Sequence, residues 1–237
     1  MTDSPFWRDI SGWIHDGMWS YCPEYPGAEI SELPHPAFLP EDYPVYLQKF
    51  IIGGQTGTYI ETRAHVDKSA APVSELPLEE FCRPAVVIDV GRKSAKEPVT
   101  LADVEHAGVQ IRPGDAVLLS TGWDSKWEDP DFVNDSPYIS REAALWLFDR
   151  DIDLLGADFP RFDKMEHPEL VEGSQRKPNP AMQFPWAEFW DRVNFLLAPV
   201  TNLQGLSGRC GQLIAFPLKI RGACATPCRA ALMLDRT

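Results

Sequence analysis

Basic side chains are scarce. Against 35 Asp and Glu the 237-residue chain carries 22 Lys and Arg, a formal net charge of −13. A surface field of that sign repels phosphate backbones and anionic lipid heads, so no nucleic acid and no membrane is expected among the partners. No apolar run reaches the roughly 18 residues that a bilayer span requires, and Met1–Asp9 is short, polar and acidic, without the basic and apolar parts of a secretory leader. A soluble, cytoplasmic protein is expected. The five cysteines, at 22, 82, 210, 224 and 228, are odd in number and give no disulfide framework; Cys224 and Cys228 also lack the CxxC spacing of a zinc ribbon. Reduced thiols follow, with Cys22 and Cys82 read as small hydrophobes. Also absent are a Gly-rich phosphate loop, a G-x-S-x-G elbow and an H-E-x-x-H helix.

What is present is an ordinary globular composition, 44% hydrophobic and 11% aromatic, with proline (22) outnumbering glycine (16). Proline spread along the whole chain implies short elements joined by fixed turns and excludes long helices. Residues 49–53 and 57–61 read as extended pieces around the Gly53-Gly54 pair, and Pro84–Val90 is an apolar, β-branched run fit for a buried strand. Thr100 caps a short helix with Asp103 in its first turn, ending before Gly108, and Ser140 caps a second over 141–150. Arg112–Thr121 gives a turn and strand. Further strands are expected over 153–158, 194–200, 212–220 and 230–234, with a long surface loop over 164–185. Strands outnumber helices, so the expected class is α/β: a single domain, residues 1–237, with a mixed, barrel-like β-sheet and short surrounding helices.

The densest polar stretch is Gln55-Thr56-Gly57-Thr58-Tyr59-Ile60-Glu61-Thr62-Arg63-Ala64-His65. On an unbroken strand Gln55, Gly57, Tyr59, Glu61, Arg63 and His65 share one face. The spacing alone equally describes a solvated strand face. The glycines, which permit close backbone approach, and the gathering of Tyr, Glu and His on one face point instead to a site.

This stretch resembles the H-x-G-T-H-x-D-x-P-x-H signature of a cyclase family that includes bacterial-type kynurenine formamidases and related metal-dependent hydrolases. Collinear blocks extend the resemblance over nearly the whole chain: DISGWIHDGMWSYCP near the start, LPLEEFCRPAVVIDV, RPGDAVLLSTGW, LLGADFPRFD, and AFPLKIRGACATPCRAALM near the end. The resemblance implies the family's fold, a small-molecule substrate, and a homodimer or larger homo-oligomer. It also implies a divalent metal held by the first two histidines and the aspartate of the signature. Here those positions are Gln55, Tyr59 and Glu61, and only the last histidine survives, as His65. The glutamate of the family's second metal falls at Ala198, and His167 is the only histidine after residue 106.

A degenerate metal signature is therefore expected to hold no metal. If a single zinc or manganese ion is bound, its ligands are Gln55, Glu61 and His65. The same row supports acid–base chemistry without one: Glu61 as general base, His65 as partner acid or base, and Tyr59 as donor to a developing oxyanion, with Gln55 assisting. Asp158 matches the first aspartate of the family's D-x-P-S-x-D run. Arg161 replaces that run's serine and Arg63 the signature's proline; each would pair with a substrate carboxylate or else make a surface salt bridge. His15 and Trp19, in the opening segment, read as pocket walls or as core. The expected activity is acid–base cyclisation, dehydration or isomerisation of a cyclic or cyclisable acyl compound (amide, lactone or polyketide-like). The alternatives are metal-dependent amide or lactone hydrolysis of the arylformamidase type and a non-catalytic binding relative.

Overall fold

The computed structural model describes residues 6–22, 25, 27–164 and 184–234. Among these, twelve strands and three helices occur in the order β1 (Phe6–Asp9), β2 (Glu29–Glu32), β3 (Gln48–Ile51), β4 (Tyr59–Thr62), β5 (Cys82–Asp89), β6 (Pro98–Val99), α1 (Leu101–His106), β7 (Ala116–Ser120), β8 (Tyr138–Ile139), α2 (Arg141–Phe148), β9 (Leu154–Ala157), α3 (Trp186–Arg192), β10 (Phe195–Ala198), β11 (Gly208–Pro217) and β12 (Ala225–Leu234).

Four strands, β5, β7, β9 and β10, run parallel side by side. Covered on both faces, β7, β9 and β10 carry almost unbroken apolar runs, buried at every residue, as parallel strands must. β11 adds antiparallel to β5 and β12 antiparallel to β11, and β4 pairs with β10 on one side and β12 on the other. That last pairing closes a seven-stranded barrel, which β1 extends by lying along β12. Closure removes the free edges that an open sheet would expose. Separate two-stranded sheets, β2–β3 and β6–β8, lie outside the barrel.

Alternation along each strand divides the core in two. Ile60, Val87, Leu118, Leu154, Leu197, Leu213 and Leu232, one from each barrel strand, belong to a single buried cluster, which is the barrel interior. The intervening residues, among them Val86, Val117, Leu155, Leu196 and Tyr59, pack outward against Phe148, Phe189 and the aromatic residues Trp123, Trp127 and Phe132. Each such fully buried side chain contributes about 1.5–3 kcal/mol. Tyr59 and Glu61 stand two apart on β4, so Glu61 shares the outward face, at the seam where β4 meets β12.

Local chemistry explains the helix starts. Thr100 and Asp103 form a reciprocal capping box, and the Ser140 hydroxyl accepts from Ala143 N. By contrast α3 lacks any side-chain cap, since Pro185 precedes it, and no sequence signal announced it. The expected strand over the Gln55–His65 stretch is corrected: only Tyr59–Thr62 is extended, Gln55 lies in a turn, and Arg63–His65 forms a 3-10 turn. β11 and β12 both begin earlier than expected, at Gly208 and Ala225. Most of the expected loop over 164–185, with His167, lies outside the described residues.

Candidate active site

The turn before β4 is held from several sides. Gly53 N donates to Thr56 Oγ1 at 2.9 Å, Gly12 N donates to Thr58 Oγ1 at 3.0 Å, and that hydroxyl donates to Pro199 O at 2.6 Å. Two glycines make the turn possible. Gly57 has φ +64, and a Cβ there would meet Ile14 Cγ1 at 2.6 Å; a Cβ on Gly54 would meet the Ala225 carbonyl at 2.7 Å. The result is a fixed Gln55, whose Nε2 donates to Glu61 Oε2 at 2.5 Å.

Glu61 is 3% exposed. Burial pushes its carboxyl up to about 7, against the opposing hydrogen bond from Gln55. Oε1 makes no hydrogen bond to the protein among the described residues. His65 is brought close by the 3-10 turn, an i,i+4 relation with Nδ1 3.8 Å from Glu61 Oε2, and burial lowers its pKa below the usual histidine value. Near neutral pH the pair is thus a titrating carboxyl beside a neutral imidazole.

Tyr59 is buried against Tyr21, their rings edge-on at 6.0 Å, and the Tyr21 hydroxyl donates to Pro160 O at 3.1 Å. Burial, with Tyr21 and Glu61 nearby, raises the Tyr59 pKa well above 10. It is a neutral phenol near neutral pH. A cavity of about 180 Å³ opens alongside, lined by Trp19, Ser20, Tyr21, Tyr25, Gly53, Gly54, Gln55 and Thr56. Gln55 therefore links the cavity wall to Glu61. The Trp19 ring is fixed by its Nε1–H bond to Trp127 O at 3.0 Å and meets Tyr21 edge-on at 6.0 Å.

Other expected residues scatter. Arg161 adjoins the cavity-lining Tyr21, donating to its carbonyl with its guanidinium carbon 5.8 Å from the ring centre. Arg63 points away, held by Trp190 O at 2.9 Å and Asp191 Oδ1 at 2.7 Å: it lies past the end of β4, so the alternation that selected it does not apply. His15 Nε2 lies 2.8 Å from Glu128 Oε2, half exposed, and does not line the cavity. Asp158 is buried and accepts from Thr121 N, Thr121 Oγ1 and Gly122 N at 2.8, 2.6 and 2.7 Å. Burial raises it to about 7 against those bonds; its oxygens tie the end of β7 to that of β9. One neighbour escaped sequence reading: Cys224 Sγ lies 3.8 Å from His65 Nδ1, placed there because Thr62 N donates to Cys224 O at 3.0 Å across the β4–β12 seam. No local sequence signal marks so distant a pairing.

These side chains do not suit the divalent metal that the resemblance implies. Gln55 turns an amide N–H, not a lone pair, toward Glu61, and burial holds Tyr59 as a neutral phenol. Borderline ions require deprotonated or neutral-imidazole donors. Among the described residues no group of three or more His, Cys, Asp and Glu is arranged to hold one.

Comparison with known proteins agrees with this geometry in fold. A family model described as "Putative cyclase" matches residues 5–164. Kynurenine formamidase of Bacillus cereus (strain ATCC 10987 / NRS 248) is 25% identical over 229 residues, 96% of this chain and 93% of that protein. Kynurenine formamidase of Salinibacter ruber is 29% identical over 199 residues, 79% and 80% of the two chains. Among solved structures, isatin hydrolase A from Ralstonia solanacearum superposes with a TM-score of 0.78 at 22% identity, covering 97% of this chain and 92% of that one. A "predicted metal-dependent hydrolase from Bacillus stearothermophilus" gives 0.69 at 21%, covering 97% and 98%. At these identities the structures show a shared fold.

Proposed function

Because the chain belongs to the cyclase family and is an enzyme like its formamidase relatives, we propose that it transforms a compact cyclic or cyclisable acyl compound by general acid–base catalysis. Glu61 is the base. The observation that carries this reading is the state of its carboxyl: buried, raised to about 7, one oxygen held by Gln55 and the other without a hydrogen bond among the described residues. A base poised near the working pH gives the best combination of ionised fraction and proton affinity, an effect of about 10²–10⁴ in rate.

In the ionised form Glu61 takes the proton of the attacking oxygen or nitrogen as that atom bonds to the acyl carbon. In ring opening the attacker is water; in ring closure it is the substrate's own nucleophile. The proton then passes by way of neutral His65 to the leaving nitrogen or oxygen as its bond to the acyl carbon breaks. Gln55 keeps the carboxylate aimed throughout. The cavity is smaller than the roughly 300 Å³ at which ordinary ligand pockets begin, which favours a substrate of one small ring system.

The test is turnover of a panel holding isatin, the formamide of kynurenine and small lactones. kcat/KM should rise with pH through about 7, and Glu61→Gln should lower it by about 10² or more. Full activity in both Glu61→Gln and His65→Ala would refute the assignment. So would near-stoichiometric zinc or manganese in chelator-free protein that disappears in Glu61→Ala.

A further inference from the structure

Arg63, Arg83, Arg141, Arg192, Arg209 and Arg229 each hold a carboxylate within 4 Å. The chain's net charge of −13 makes such partners plentiful. Arg161, in contact with the cavity-lining Tyr21, is held differently. Among the described residues no carboxylate lies within salt-bridge distance of it; its one hydrogen bond goes to the Tyr21 carbonyl, and its Nε–H is buried without a partner. The groups that surround it are aromatic or thiol: Tyr21, Cys22, Tyr25 and Tyr59. A desolvated guanidinium with unused donors costs free energy unless an anion completes it.

The cavity supplies the rest of the description. Trp19, Tyr21 and Tyr25 form a wall of ring edges and faces, with Tyr21 meeting Trp19 at 89° and Tyr25 at 60°. Such a wall suits a flat π-system, which packs against aromatic rings edge-on or offset. Arg161 itself lies against Tyr21, so a ring held by this wall would bring a substituent within reach of the guanidinium. A planar fork of N–H donors matches a carboxylate in two bonds, and an ammonium does not.

We infer that Arg161 is the receptor for a carboxylate borne by a small planar aromatic ligand seated between Trp19, Tyr21 and Tyr25. The substrate class follows: an aromatic acid or a compound that displays one. This rests on the cavity being the substrate site, as proposed above, yet it concerns binding and is separable from the acid–base step. Arg161 selects; Glu61 reacts.

Calorimetric titration with two shape-matched probes, benzoate and benzamide, tests it. Wild-type protein should bind benzoate about tenfold or more tightly than benzamide, and Arg161→Gln should bring the two together. Glu61→Gln should keep the preference while turnover is lost, and Arg63→Gln should keep it too, since Arg63 is engaged by Asp191. If Arg161→Gln does not fold, Arg161→Lys replaces it, with a loss of at least about threefold expected because the fork is gone. Equal binding of the two probes to wild type, no binding of benzoate, or a preference unchanged at Arg161 overturns the inference. Loss of activity in Glu61→Gln with no benzoate preference would leave the acid–base reading standing and remove only the anion site.

Discussion

Gln55 Nε2 and Glu61 Oε2 approach to 2.5 Å, and the amide reaches the carboxyl from a turn held by its own threonines. Thr56 closes the turn on Gly53, and Thr58 pins it to Gly12 and Pro199. The bond lowers the Glu61 pKa, yet burial prevails and the group remains near 7. This balance has consequences for stability as well as for rate.

The folded protein binds the Glu61 proton more tightly than the unfolded chain does, so this group contributes stability that is complete below about 4.5 and is lost as pH rises through about 7. Glu61→Gln has no proton to lose. The variant should therefore gain on wild type as pH rises, by about 3 kcal/mol at pH 9 relative to pH 4.5, the equivalent of the shift at about 1.4 kcal/mol per unit. Urea denaturation of both proteins across that range measures it; parallel curves would show that Glu61 is not perturbed.

Asp158 offers a contrast, because its three hydrogen bonds join strand ends and touch no reacting group. Asp158→Ala should strand the Thr121 and Gly122 donors and destabilise the protein by about 3 kcal/mol. In the protein that remains folded, the pH at which activity rises should stay where wild type has it. A shift of that midpoint would assign Asp158 to the chemistry.

Gly57→Ala combines two costs, a side chain at φ +64 and a Cβ at 2.6 Å from Ile14 Cγ1. A loss of about 1–3 kcal/mol is expected. Adding Ile14→Ala should recover the steric part and leave the backbone part, so a double-mutant cycle should show coupling of about 1 kcal/mol. Additive losses would mean that Ile14 moves aside freely.

How much of this was legible beforehand depends on distance along the chain. The caps at Thr100 and Ser140, the buried strands and the barrel-like sheet could be read because they are local patterns or collinear blocks. Glu61 and His65 do come together, as expected, but by a different geometry. Period-two alternation on one long strand was expected to align them, whereas the strand stops at Thr62 and a 3-10 turn carries His65 back. Alternation would likewise set Arg63 beside Glu61 on the outward face, whereas the turn sends it to the alternative foreseen for it, a salt bridge, with Asp191. Tyr59 could be placed but not its neighbour, since Tyr21, whose ring it meets edge-on, comes from another segment. Cys224 was beyond reach for the same reason, being 159 residues from His65 and delivered by strand register alone.

That β4–β12 seam also dictates when the site can exist. During synthesis Glu61, His65 and Gln55 emerge early, but the strand that flanks them is among the last parts of the barrel to be made. Until β12 docks, β4 has one neighbour rather than two, Cys224 and Ala225 are elsewhere, and the carboxyl is not enclosed. An unfinished chain therefore carries Glu61 as an ordinary solvated acid. The enclosure that lifts the Glu61 carboxyl arrives with the pairing that closes the barrel, and no half-built form supplies it.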